Sequence, residues 1–158
     1  MKDHVMHETY EPHLLQPKEY DAFLERLGKL SPASRALWGK TDVAQMLAHV
    51  ATFLEIASSD EKVTRMWLGR IFGPSGKRHI LTTGIPKNSP TIPSIKVSGQ
   101  RDFRREKERA LRGLERFYKG GEAGDTRQPH QFWGRLTPNE WARLQYVHLD
   151  HHVTQFGV

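Results

Sequence analysis

Val43, Met46, Leu47, Val50, Phe53, Leu54 and Ala57 recur at helical spacing without a break. A helix turns about 100° per residue, so positions three and four apart share one side. The sequence therefore predicts an amphipathic helix over 42–58, with Thr41 as its cap. Such a stripe must lie against other apolar surface, and the rest of the chain is read as what covers it.

Tyr20, Phe23, Leu24, Leu27 and Leu30 follow the same spacing and predict a helix over 17–30, opened by Pro17. Val63, Met66, Trp67 and Ile71 mark one side of a shorter helix over 61–72, which Gly73-Pro74 should stop. Phe103, Ala110, Leu111, Leu114, Phe117 and Tyr118 mark a helix over 101–119, ended by Gly120-Gly121. Thr137-Pro138-Asn139-Glu140 is a capping box with proline in the first helical position. The last helix runs from there to about 156, with Gly157 as terminator. Trp38, in the connection 31–40, is expected to plug an end of the assembly. Pro86, Pro90 and Pro93 forbid a continuous helix in the segment 75–99. A loop of that length either closes over a pocket or crosses between helices. No pattern would build a sheet. The expected fold class is all-α, a four-helix bundle with long crossover loops. Residues 1–16 are expected to form an irregular N-terminal arm, and 17–158 a single domain, as suits a chain of 158 residues.

Composition removes several function classes. There is no cysteine, so disulfides, thiolate metal sites and a cysteine nucleophile are excluded, and the nine histidines become the natural metal ligands. No apolar run is long enough to span a bilayer, and the opening Met-Lys-Asp-His-Val-Met-His-Glu lacks the apolar core of a signal peptide. A cytoplasmic protein without a membrane partner is expected. The net charge of +6 favours anionic partners in general. The helix 101–119 carries Arg101, Arg104, Arg105, Lys107, Arg109, Arg112, Arg116 and Lys119 on its outer face. Glu106, Glu108 and Glu115 are interleaved, and Glu108–Arg112 and Glu115–Lys119 have the favourable i, i+4 order. A solvated, ion-paired face is preferred over a nucleic-acid surface.

The chemistry concentrates in the last helix. His148 and His152 lie about 40° apart around its axis and continue the apolar stripe of Trp141 and Leu144. An inward polar face must be hydrogen-bonded or hold something. His49 lies on the flank of the 42–58 stripe, where it reads as half-buried. Three readings stand. His49, His148 and His152 bind a divalent metal with one position open. Alternatively, they are structural histidines bonded to the backbone and to one another. In the third reading they form a cationic cluster at a helix C-terminus, which His151 fits best because Leu149 and Asp150 suggest a wetter edge. Gln45 and Gln155 can orient a ligand or a bound water from outside the coordination sphere.

Gln45-Met-Leu-Ala-His49 and His148-Leu-Asp-His-His152-Val-Thr-Gln155-Phe-Gly resemble motifs of the DinB-like superfamily. Trp38-Gly39-Lys40 and Phe132-Trp133-Gly134-Arg135-Leu136-Thr137-Pro138 resemble a bacterial branch of it whose function is unknown. The resemblance runs over about 14 to 158. It implies a four-helix bundle, often a homodimer, with a metal site from one histidine of the second helix and two of the last, at His49, His148 and His152. Gln155 sits where the superfamily often has glutamine. Val153 stands where it often has arginine, so a positive charge is missing there. Members with known activity include thiol S-transferases.

The functional expectation is a metal-dependent enzyme acting on a small molecule, a thiol S-transferase or a hydrolase. Its cofactor would be zinc or nickel, which both suit imidazole. With no cysteine, a low-molecular-weight thiol would arrive as cosubstrate, its carboxylates held by Lys77, Arg78 or Lys87. The alternative is a non-enzymatic stress-response or small-ligand-binding bundle.

Overall fold

The computed structural model describes residues 11–124 and 127–158. His4 and His7 of the expected arm lie outside the described residues. Five α-helices appear: α1 (Pro17–Lys29), α2 (Val43–Ile56), α3 (Trp67–Thr83), α4 (Phe103–Gly120) and α5 (Pro138–Gln155). Short 3-10 turns occupy Pro93–Ile95 and Gly121–Gly124. No strand occurs among the described residues, so the all-α expectation holds.

α2 lies at the centre. It packs along α4 and on α5, while α1 rests on α4 and α5, and α3 on α5. Met46, Leu47, Val50, Phe53 and Leu54 are all buried. Each such side chain contributes about 1.5–3 kcal/mol relative to exposure. The cap of α2 is Asp42 rather than Thr41. Its carboxylate accepts the Gln45 N–H at 2.8 Å, while the Gln45 side chain accepts the Asp42 N–H. Asp42 wins because Gln45, three residues on, completes the reciprocal pair. The capping box at Thr137 and Glu140 forms as expected.

Polar anchors tie the ends together. Arg26 of α1 donates to Asp150 at 2.8 Å and to the Val158 carbonyl at 2.9 Å. Arg143 of α5 is buried and donates to the carbonyls of Leu81 and Pro12, both at 2.8 Å. The described end of the arm is irregular, and Leu14 is fully buried with its N–H on the Ala142 carbonyl. On α4 the pairs Glu108–Arg112 and Glu115–Lys119 both form. Lys107 and Arg109 leave the expected outer face. Lys107 donates to the carbonyls of Gly28 and Leu30, and Arg109 meets Glu55 and Glu106.

The largest departure is α3. The expected helix 61–72 starts only at Trp67, runs through Gly73-Pro74 and continues to Thr83. An internal proline costs about 3 kcal/mol, so tertiary contact must offset it. Gly69 and Gly73 supply that contact: a Cβ at either would fall 2.4 Å from the Phe132 carbonyl oxygen. Only hydrogen lets the helix approach that backbone. Trp67 and Ile71, two of the apolar residues that mark one side of the expected helix, are exposed, alongside Phe72. Gly73→Ala should therefore force α3 off the turn, costing about 1–3 kcal/mol and several degrees of Tm. Gly28→Ala, with nothing within 4 Å of the added carbon, should instead stabilise by up to about 1 kcal/mol. Thermal melts of the two variants should move in opposite directions. Equal shifts would contradict the close approach.

Candidate metal centre

The sequence brings three histidines together from two helices. His49 leaves the inner side of α2, and His148 and His152 leave adjacent turns of α5. Their ring centroids are 4.7–4.8 Å apart. One ring nitrogen from each can be chosen so that all three lie within 4.8 Å of one another, a group that can hold a metal ion. Zinc–imidazole bonds of about 2.0–2.1 Å put tetrahedral ligand nitrogens about 3.3 Å apart. The ring nitrogens of the trio, 2.8 Å apart between His148 and His49 and within 4.8 Å overall, bracket that spacing.

Hydrogen bonds fix which nitrogens are bare. His49 Nδ1 lies 2.7 Å from the Ile95 carbonyl, which only accepts, so Nδ1 carries the proton and Nε2 a lone pair. Gln155 donates its amide to the Trp38 carbonyl at 2.9 Å, which leaves Oε1 to accept from His152 Nδ1 at 3.0 Å. His152 Nε2 is then bare too. Gly39 makes room for this link: a Cβ there would meet the Gln155 amide nitrogen at 2.9 Å, and its φ of +81° favours glycine. His148 Nε2 lies 2.8 Å from His49 Nε2 and must donate to it. A cation would take the place of that single shared proton. His148 Nδ1 is buried without a hydrogen-bond partner. The donor set fits a borderline divalent ion: neutral imidazoles, two of them oriented by outer partners.

Burial governs the electrostatics. His49 is fully inside rather than half-buried, and desolvation lowers its pKa. Burial lowers His148 well below the ordinary value, and His152 and His49 beside it push the same way. Burial takes His152 to about 3. His151 donates to the Ile85 carbonyl and is lowered by burial. Leu149 is wholly buried, not a wet edge. A cationic cluster is therefore the reading that this environment disfavours.

The trio opens on a cavity of about 500 Å³. The proline-rich segment lines it from Ile85 to Ile95. That segment closes over a pocket and also supplies the carbonyl that orients His49. Gln45 spends its side chain on Asp42 and on the Gly99 carbonyl, and hydrogen-bonds none of the three rings. Trp38 is half-buried, edge-on to His151 with Lys87 over its ring. Lys77 pairs with Glu140 at 2.7 Å. None of Lys77, Arg78 and Lys87 lines the cavity.

His130, to which the sequence assigned no role, joins the cavity wall from the connection between α4 and α5. Its Nδ1 accepts the N–H groups of Phe132 and Trp133 at 3.1 and 3.0 Å, so its proton sits on Nε2. Burial, with the Arg65 charge nearby, takes its pKa to about 3. His130 and Gly134 bond each other's backbone across a tight turn, with Gly134 at φ +82°, and a lone glycine in a loop is too weak a sequence signal to have found it.

No helix among the described residues is long and apolar enough to cross a membrane. No curated protein and no solved structure matches the chain. A family profile with the description "Protein of unknown function (DUF1569)" matches residues 10–157. That match spans nearly the whole sequence and takes in His49, His148, His152 and the loops around them, so the chain belongs to the DUF1569 family.

Proposed function

We propose that this chain is a metal-dependent enzyme of the DinB-like kind, built on a four-helix bundle of α1, α2, α4 and α5. His49, His148 and His152 are its metal ligands, and zinc or nickel its ion. One observation carries the reading: the Ile95 carbonyl and the Gln155 amide each fix a ring so that Nε2 is left bare toward a common centre. Both outer bonds satisfy buried N–H groups in either reading; what favours an ion is that they turn the Nε2 lone pairs of His49 and His152 toward one place. A divalent cation held there would lower the pKa of a water or thiol reaching it, and so supply a nucleophile near neutral pH.

The surrounding residues keep that centre dry and neutral. Phe53 lies 4.3 Å, ring to ring, from His148, and Ile92 and Ile95 close the loop side. The reaction class is thiol S-transfer or hydrolysis on a small molecule. The chain has no cysteine, so any thiol is a cosubstrate. A cytoplasmic setting and a homodimer belong to the same reading. Trp67, Ile71 and Phe72 form the exposed apolar face that a second copy would cover.

A second reading has its own support. The His148–His49 hydrogen bond is complete without an ion, as in a non-enzymatic stress-response or ligand-binding bundle. Elemental analysis of protein purified without an affinity tag separates the two. We expect about one zinc or nickel per chain, and turnover in a panel of thiols and electrophiles. Protein that takes up neither metal when supplied with both is the outcome of the second reading.

A further inference from the structure

The lining of the cavity limits what can enter it. Among the described residues, no lysine, arginine, aspartate or glutamate contributes to the wall. The polar part consists of five imidazoles and the hydroxyls of Ser89 and Thr91. The remainder is apolar, with Ile80, Ile85, Phe132 and Trp133 among its members. Without a bound cation, an ionised ligand would lose its hydration here and meet no side chain of opposite charge, a cost that binding cannot easily offset. Arg65, whose charge reaches His130, is spent on the carbonyls of Gln131 and Gly69. A cavity of about 500 Å³ is in the range that takes a small organic molecule.

His130 supplies the polar counterpart. Its Nδ1 is committed to two backbone N–H groups, so the ring has one proton to give, at Nε2. The turn holds the ring in that tautomer, and stacking against Trp133 holds its plane. A fixed neutral N–H in an apolar wall recognises an acceptor oxygen and repels nothing uncharged.

We propose that this site takes an uncharged, predominantly apolar molecule that carries one hydrogen-bond-accepting oxygen, received by His130. That this molecule is the substrate rests on the metal-enzyme reading, whereas its binding does not. The class excludes a carboxylate buried among the apolar residues of the wall, so any carboxylate of a thiol cosubstrate stays outside the cavity; a sulfur or oxygen held by the cation of the metal reading is a separate case.

Three probes of one skeleton test this on metal-stripped protein, where no ion can capture a carboxylate. They are 1-acetonaphthone, 1-ethylnaphthalene and 1-naphthoate, titrated by calorimetry. The ketone should bind once per chain, about fivefold tighter than the hydrocarbon and at least about tenfold tighter than the anion. His130→Asn keeps an oxygen where Nδ1 accepts and removes the Nε2 proton. It should erase the ketone's advantage over the hydrocarbon. The wild-type comparison stands by itself if that variant does not fold. Naphthoate binding as well as the ketone, ketone and hydrocarbon binding equally to wild type, or no binding to folded protein overturns the proposal. Nickel uptake is measured separately. Protein that ranks the probes as stated but takes no nickel loses the metal reading alone. Protein that takes nickel but prefers the anion loses this proposal alone.

Discussion

Replacing His148 with alanine should leave the chain unable to hold a stoichiometric divalent cation, while the same change at His151 should not. The two residues sit three apart on α5 and both border the cavity, so the comparison isolates coordination from general loss of imidazole. His151 turns its Nδ1 to the Ile85 carbonyl and is outside the trio. His148 is its most enclosed member, hydrogen-bonded to His49. In the proposed site, losing it removes a direct ligand, which should cost more than the about 10–100-fold lost with an outer hydrogen-bonding partner. Gln155→Leu should show that smaller loss, because it frees the His152 ring without deleting it. Competition against a chromophoric chelator measures all three variants, and circular dichroism shows that each is folded. One tight equivalent of nickel or zinc retained by His148→Ala would falsify the ligand assignment.

These residues also show where sequence was legible. His148 and His152 are four apart on a helix whose cap is written in Thr137 and Glu140, so their shared face follows from local rules. His49 follows from the strongest apolar repeat in the chain, although its depth does not. Burial depends on how the proline-rich segment folds over it. The bonds that matter most have no sequence signature: the Ile95 and Trp38 partners are backbone carbonyls, brought near by tertiary packing. α3 is the reverse case. Gly73-Pro74 is a local stop signal, and locally it is correct. It is overridden because Phe132, far along the chain, fits only against glycine. The register slip from Thr41 to Asp42 has a plainer cause. Both side chains can cap, and Gln45 at the third position beyond Asp42 decides between them.

The same burial should make the fold acid-labile well above the pH at which carboxylates protonate. His130 and His152 are held near 3 and His148 well below its ordinary value, against about 6.5 in an unfolded chain. Above pH 6.5 neither state binds these protons, and stability is independent of them. Below it the unfolded chain takes up protons that the native chain refuses, so stability falls with pH until the native values are reached, near 3 for His130 and His152. Each histidine contributes a limiting slope of about 1.4 kcal/mol per pH unit, and the three together about 4 kcal/mol per pH unit. Against a typical total of about 5–15 kcal/mol, unfolding is expected near pH 5. Urea midpoints measured from pH 8 to 5 should be flat down to about 6.5 and then drop steeply. His130→Asn should shed about one proton of the uptake seen on unfolding at pH 5.5. Saturating nickel should raise the midpoint at pH 7.5 and lose that effect toward pH 5, since protons and the cation compete for the same lone pairs. A midpoint constant down to pH 5 would mean that these rings accept protons in the folded chain, and would overturn the assignment of desolvated, neutral imidazoles.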